Sequence, residues 1–160
     1  MKSERSTHSP ESKQGRYVLD SFAVLSLLYG EEGAGEVKQI LRQARNGMAD
    51  VFLHWNNLGE VYYILRKGTP RRKVLEAIAL VKALPLHLIE FEEVLWLTAA
   101  ELKGTFPISY ADAFAAATTQ VKEAILVTGN PEFEGLEEHL PIHWLAQKKR
   151  ERGKRDDSHG

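Results

Sequence analysis

Hydrophobic residues along the chain form short apolar runs that alternate with longer stretches of helical periodicity. The apolar runs at 16–19, 50–54, 86–89, 124–128 and 142–145 predict five strands. Helices are predicted between them at 22–29, 36–45, 57–67, 70–84 and 92–103, and a further helix begins after Ser109, a good capping residue. Strands that alternate with helices favour an α/β fold, a mostly parallel α/β/α sandwich of four or five strands.

The composition suits one compact domain. Of the 160 residues, 43% are hydrophobic, which is enough to build a core. Residues 1–15 and 147–160 are polar and charged, so we predict disordered tails on either side of a domain at 16–146. The first residues lack the apolar stretch of a signal peptide, and no later run approaches membrane-spanning length. We therefore expect a cytoplasmic protein with no membrane association.

Charge and cysteine content exclude several kinds of chemistry. The chain has no cysteine, which excludes disulfides, thiolate nucleophiles and zinc sites built on cysteine. Its net charge of -1 gives no general attraction to nucleic acid, so such a partner would need a local basic patch. The run from Arg66 to Lys73 is one such patch, although a solvated turn is the preferred interpretation. Tyr63, just before it, is interpreted as a core or interface residue.

Asp112 lies on the first turn of the alanine-rich helix that follows Ser109. The Ser109-x-x-Asp112 spacing is that of a capping box, and capping alone is one interpretation of this carboxylate. However, Ala115, Ala116 and Thr119 share its helix face, and a carboxylate on such a small, weakly polar face needs a partner. A metal ion is one such partner, so both interpretations remain open.

Other oxygen-bearing side chains also stand where predicted elements meet. Asp20 follows the first strand directly, and the segment from Thr128 to Asn130 follows the fourth. Glu60 lies near the head of the helix after the second strand, where the spacing from Asn57 again permits a simple capping box. Because sites in parallel sheets gather beyond the carboxyl ends of the strands, one cleft can hold all of these groups.

Three carboxylates and an amide from four separate places suit a magnesium or manganese site. These hard cations prefer oxygen ligands, and clustered acids without a cation would repel one another or bind protons. A metal held in this way can activate a bound water and stabilise a leaving oxygen on phosphorus. The implied reaction is phosphodiester hydrolysis.

Four motifs carry a resemblance to a known family. They are Val-Leu-Asp20-Ser-Phe, Asn57-Leu-Gly-Glu60-Val-Tyr-Tyr, Ile-Ser109-Tyr-Ala-Asp112-Ala-Phe and Val-Thr128-Gly-Asn130-Pro-Glu132-Phe. In this order and spacing they resemble the motifs of PIN-domain ribonucleases, and most of all those of VapC-type toxins from toxin–antitoxin pairs. The resemblance spans about residues 17 to 145, nearly everything outside the predicted tails.

The resemblance implies a Mg²⁺- or Mn²⁺-dependent endoribonuclease that cleaves structured cellular RNA, is silenced by a cognate antitoxin and forms a homodimer. By position, Asp20 and Asp112 would be the principal metal ligands. Glu60 would help to bind metal or to position water, and Thr128 would orient ligands or substrate.

The fourth motif departs from the family pattern. Asn130 stands where the family most often has aspartate, and Glu132 stands where a second aspartate is common, as a candidate outer-shell group. The departure lowers the negative charge of the site and motivates a second hypothesis, a catalytically weak or inactive PIN-like module that binds RNA or protein. A phosphatase or phosphoacceptor domain would be expected to carry paired acids on its first strand and a late lysine, and the sequence has neither.

Overall fold

The structure is a computed structural model that describes residues 14–146. The strands are β1 (Gly15–Leu19), β2 (Ala49–His54), β3 (His87–Ile89), β4 (Ile125–Thr128) and β5 (Ile142–Trp144). The helices are α1 (Ser21–Tyr29), α2 (Ala34–Arg45), α3 (Trp55–Arg66), α4 (Arg71–Lys82), α5 (Glu93–Thr105) and α6 (Tyr110–Val121), with a 3₁₀ helix at Pro131–Leu136. The predicted tails lie outside the described residues, except for residues 14 and 15, and Gly15 begins β1.

The five strands form one parallel sheet in the order β3-β2-β1-β4-β5. This confirms the predicted α/β/α sandwich. The central strand β1 pairs with β2 on one side and with β4 on the other, and Leu19 lies opposite Val127. The strand order reverses between β1 and β4, and a reversal of this kind opens a crevice at the carboxyl edge of the sheet.

Alternate residues of the strands build two cores, one on each face of the sheet. Val18 and Leu126 point into the core beneath α5 and α6, whereas Leu19 and Val127 point into the core beneath α1 to α4. All four side chains are fully buried. Both faces are covered, and for this reason the central strands are almost continuously apolar instead of alternating with polar residues.

The alanine-rich helix α6 is the most deeply buried helix of the fold. Every residue from Asp112 to Thr119 is buried. Its alanines allow close approach to α5 and to the sheet, while the hydroxyls of Thr118 and Thr119 donate to the carbonyls of Phe114 and Ala115 within the helix. The burial of α6 holds the first turn of the helix in a fixed position beside the carboxyl edge of the sheet.

The helices α1 to α5 each begin one or two residues before or after their predicted starts. The helix α3 begins at Trp55, because the ring Nδ1 of buried His54 accepts the Asn56 amide at 3.0 Å and caps it. Asn57, predicted as the cap, is instead buried in the first turn. The helix α4 begins at Arg71, one residue after the predicted start, with Pro70 in an extended conformation before it.

A further difference lies after β4. The sequence did not predict the 3₁₀ helix at Pro131–Leu136, whose two buried side chains are Phe133 and Leu136. Within residues 14–146, no helix is long and apolar enough to cross a membrane.

Candidate active site

Three of the candidate residues lie at the same crevice, where two neighbouring strands and one helix position them. Asp20 follows β1 directly, and Thr128 is the last residue of β4, which lies beside β1 in the sheet. Asp112 lies on the first turn of α6, which packs against β1, β2 and β4. The crevice is therefore the one at the reversal of strand order between β1 and β4.

Asp20 is fully buried and both of its carboxylate oxygens are engaged. One oxygen caps α1 by accepting the Ala23 amide at 2.8 Å, and the other accepts the Thr128 hydroxyl at 2.5 Å. Burial is the main cause that raises the pKa of Asp20 to about 7, and the charge of Glu60 adds to the rise, while the two hydrogen bonds oppose it. At neutral pH without a cation, this carboxyl group is therefore only partly ionised.

Asp112 is also buried, with 3% of its surface exposed. Ser109 caps α6 by accepting the Asp112 amide at 3.1 Å, so the predicted cap exists, and the Asp112 carboxylate points toward other partners. Burial raises the pKa of Asp112 to about 8, and a hydrogen bond with Glu132 and the charges of Asp20 and Glu60 contribute to the rise. These causes mean that Asp20, Glu60 and Glu132 all lie close enough to influence Asp112.

Asn130 links the end of β4 to Asp112. Its backbone amide donates to the Thr128 hydroxyl oxygen at 3.0 Å, and its side-chain Nδ2 donates to Asp112 Oδ2 at 3.3 Å. Its side-chain oxygen accepts the Glu132 amide at 3.1 Å and caps the 3₁₀ helix. Asn130 therefore turns its donor group toward Asp112 and uses its oxygen in the local turn.

Glu60 reaches the crevice from α3 on the other side. It accepts hydrogen bonds from the Ser21 hydroxyl and, at 3.3 Å, from the Tyr63 hydroxyl. Ser21 immediately follows Asp20, so the two acids lie close together. Sequence reasoning missed the contacts of Ser21 and Tyr63 with Glu60, although a tyrosine three residues along a helix shares the face of the acid.

The sequence profile of the PIN domain family matches residues 17–138. This chain belongs to the PIN domain family. A search of curated proteins gives no significant match. PIN-domain nucleases generally use a divalent metal ion.

Solved structures with the same fold include several complexes of toxin–antitoxin systems. VapBC2 from Rickettsia felis, bound to a promoter DNA fragment, has a TM-score of 0.65 at 17% identity over 82% of this chain and 99% of that one. DNA-bound VapBC from Salmonella typhimurium has a TM-score of 0.61 at 20% identity, over 81% and 97%. VapC20 from Mycobacterium tuberculosis, a toxin that cleaves the sarcin–ricin loop, has a TM-score of 0.60 at 16% identity, over 78% and 95%.

The charge balance of this PIN domain fits a divalent cation. Within residues 14–146, no lysine or arginine forms an ion pair with Asp20 or Asp112. Two buried carboxylates without a basic partner must bind protons or a cation. Their raised pKa values mean that, without a cation, they hold protons at a higher pH than an ordinary aspartate does. In the same part of the chain, no three acidic or histidine side chains converge as a preformed metal cluster. A cation would therefore draw together ligands that now hydrogen-bond to their neighbours.

Asn57 is a further residue at this site that sequence reasoning assigned to another role. It is fully buried, and its side-chain Nδ2 donates to the carbonyl of Ala111 at 3.0 Å. This bond ties the first turn of α3 to the first turn of α6. It thereby fixes the helix that carries Glu60 against the helix that carries Asp112.

Proposed function

We propose that the chain is a Mg²⁺- or Mn²⁺-dependent endoribonuclease, the toxin of a toxin–antitoxin pair. The observation that carries the proposal is the pair of buried carboxylates, Asp20 and Asp112, in the crevice of a PIN fold, where neither forms an ion pair with a lysine or arginine among residues 14–146. Hard oxygen ligands of this kind suit either cation. The proposed site consists of Asp20, Glu60, Asp112, Thr128 and Asn130.

Each residue has a distinct role in this proposal. Asp20, Asp112 and Glu60 hold the metal, which when bound lowers the pKa of a water and stabilises the leaving oxygen. The Thr128 hydroxyl fixes the orientation of Asp20, and the Asn130 amide does the same for Asp112. Glu132 contacts Asp112 from outside this set and tunes its protonation.

The structural neighbours support a protein partner and an RNA substrate by analogy. Several neighbours are VapB–VapC complexes, and one is described as a toxin that cleaves the sarcin–ricin loop. We infer by analogy an RNA substrate, a cognate antitoxin protein, a homodimer and a cytoplasmic location.

The test of the proposed function is cleavage of total cellular RNA by the purified chain, freed of any partner. We expect discrete fragments with magnesium or manganese and none with EDTA. Asp20→Asn and Asp112→Asn should abolish cleavage, whereas the matched control Asp50→Asn should not, because Asp50 pairs with Arg16 and His87 away from the crevice. Cleavage retained in pure Asp112→Asn protein would refute the assignment.

A second candidate function is an RNA- or protein-binding module without catalysis. The donor group of Asn130, directed at Asp112, favours it, because this donor stabilises the carboxylate without metal. Calorimetry with magnesium and manganese distinguishes the two candidates. Absence of binding at millimolar metal supports the module, and Asn130→Asp should then restore binding.

A further inference from the structure

Tyr63 is an aromatic residue on the rim of the candidate active site. Its hydroxyl donates to Glu60, and 52% of its surface is exposed. Burial of the hydroxyl and the charges of Glu60 and Asp112 raise its pKa, so the phenol lies near both acids. A tyrosine that is half exposed at the edge of a polar site contributes little to the hydrophobic core.

The Tyr63 ring is held at two points. Its hydroxyl is bonded to Glu60, and the Nζ of Lys67 lies 5.7 Å from the ring centroid, within the range of a cation–π interaction. A ring fixed in this way loses little conformational entropy when a second flat group stacks on it.

A basic cluster lies where α3 ends and α4 begins. It consists of Arg66, Lys67, Arg71, Arg72 and Lys73, all of which are exposed. Within the described part of the chain, the acid paired with the cluster is Glu76, 3.7 Å from Arg72 in a largely exposed ion pair. Such a pair is weak, so the cluster keeps most of its charge available for an anion.

One acid, the aromatic ring and one cation of the cluster lie along one face of α3. Glu60, Tyr63 and Lys67 are spaced three and four residues apart, so they share that face. At a rise of about 1.5 Å per residue, Lys67 lies roughly 10 Å from Glu60 along the axis. That span corresponds to about three stacked nucleotides at roughly 3.4 Å each.

We propose that this face of α3 binds an unpaired RNA strand, with one base stacked on Tyr63 and the adjoining phosphates on the basic cluster. This inference rests on the proposed function, because the strand bound by α3 is taken to be the RNA substrate that enters the crevice. A base inside a duplex is stacked between its neighbours and has no free face for the ring, so this surface of α3 selects loops and single strands over duplexes. An acidic peptide would satisfy the cations but has no comparable flat group for the ring.

Binding of a short, unstructured, fluorescent oligoribonucleotide in EDTA tests the proposal without cleavage. Tyr63→Ala should weaken binding by about 5- to 100-fold, whereas Tyr63→Phe should stay within about twofold, because stacking survives loss of the hydroxyl. Trp96→Ala is the matched control, since Trp96 is 45% exposed on α5 across the sheet. Circular dichroism checks that each variant is folded.

The salt dependence of the same binding tests the basic cluster. Lys67→Gln, Arg71→Gln and Lys73→Gln together should reduce the slope of log K against log salt by about 0.7 for each phosphate that the variant no longer neutralises. The double variant Lys38→Gln and Lys103→Gln removes exposed charges elsewhere and should leave the slope unchanged.

The outcomes separate this inference from the proposed nuclease activity. If Tyr63→Ala binds and cleaves RNA like the unaltered chain, or if a duplex of the same length binds as tightly, the strand-binding face is refuted and the nuclease stands. If binding depends on Tyr63 and the cluster as expected but no metal supports cleavage, the strand-binding face stands and the nuclease is refuted.

Discussion

The metal-free protein should lose stability as the pH rises from 7 to 9. Asp20 and Asp112 have pKa values of about 7 and about 8 in the folded chain, against 3.8 for an ordinary aspartate. At any pH between the ordinary aspartate pKa and the pKa values of the folded chain, the folded chain binds more protons than the unfolded chain. The free energy of unfolding therefore falls with rising pH. This is the opposite sign to that of a carboxylate stabilised by a salt bridge.

The size of the fall follows from the two pKa values. Over this interval the free energy of unfolding should decrease by about 2 kcal/mol, of which roughly three quarters comes from Asp112, because Asp20 is already half ionised at pH 7. His54 acts in the opposite direction, since burial lowers its pKa to about 4 and stability increases as the unfolded histidine loses its proton. That contribution is nearly complete by pH 7, which is why the interval begins there.

Urea unfolding in EDTA, followed by circular dichroism, measures this decrease in the free energy of unfolding. Asp112→Asn should reduce it to roughly a quarter of its size, because the neutral amide has no charge to bury. Asp50→Asn removes a carboxylate outside the crevice, so this variant should show the full decrease. Millimolar magnesium should cancel the decrease in the unaltered chain, because a bound cation stabilises the ionised form. A free energy that is constant or rises between pH 7 and 9 in EDTA would refute the assignment of buried, unpaired carboxylates.

Three further substitutions test individual contacts by urea unfolding. Thr128→Val leaves a buried carboxylate without its hydroxyl donor and should cost about 1–3 kcal/mol, whereas Thr128→Ser should cost much less. Gly129→Ala places a methyl group against the Phe22 ring and should cost about 1–3 kcal/mol, and Phe22→Leu in the same chain should recover part of that loss. Asn57→Ala leaves a carbonyl at the start of α6 without its donor and should cost about 1–3 kcal/mol, while the adjacent Asn56→Ala, which removes no side-chain donor from a buried carbonyl, should cost less than half as much.

The fold could be predicted because its strands are buried on both faces. Leu126 and Val127 point into different cores, so the run around them is apolar throughout and stands out in the sequence. Parallel strands and covering helices follow from that pattern. The 3₁₀ helix at Pro131–Leu136 did not stand out, because six residues are too few to establish a periodicity.

The candidate site could be predicted only in part. The positions of Asp20 and Asp112 at element boundaries were readable, since strand ends and caps have local signals. Their shared cleft was also expected, but the individual hydrogen bonds were not readable, because Thr128 and Asp20 are 108 residues apart and the direction of each side chain depends on packing. Asn57 shows the limit of local patterns, because it has the spacing of a cap and yet lies inside the helix, where it bonds across to α6.

The placement of Asp20 and Thr128 on neighbouring strands also has a consequence for protein synthesis. The hydrogen bond between them joins residues separated by 108 positions, and β1 gains its second neighbour only when β4 has been made. At about 5–20 residues per second, a ribosome needs roughly 5–20 s to travel from one residue to the other. A growing chain therefore carries Asp20 for many seconds without a crevice to hold it, and the site assembles only after β4 has been made.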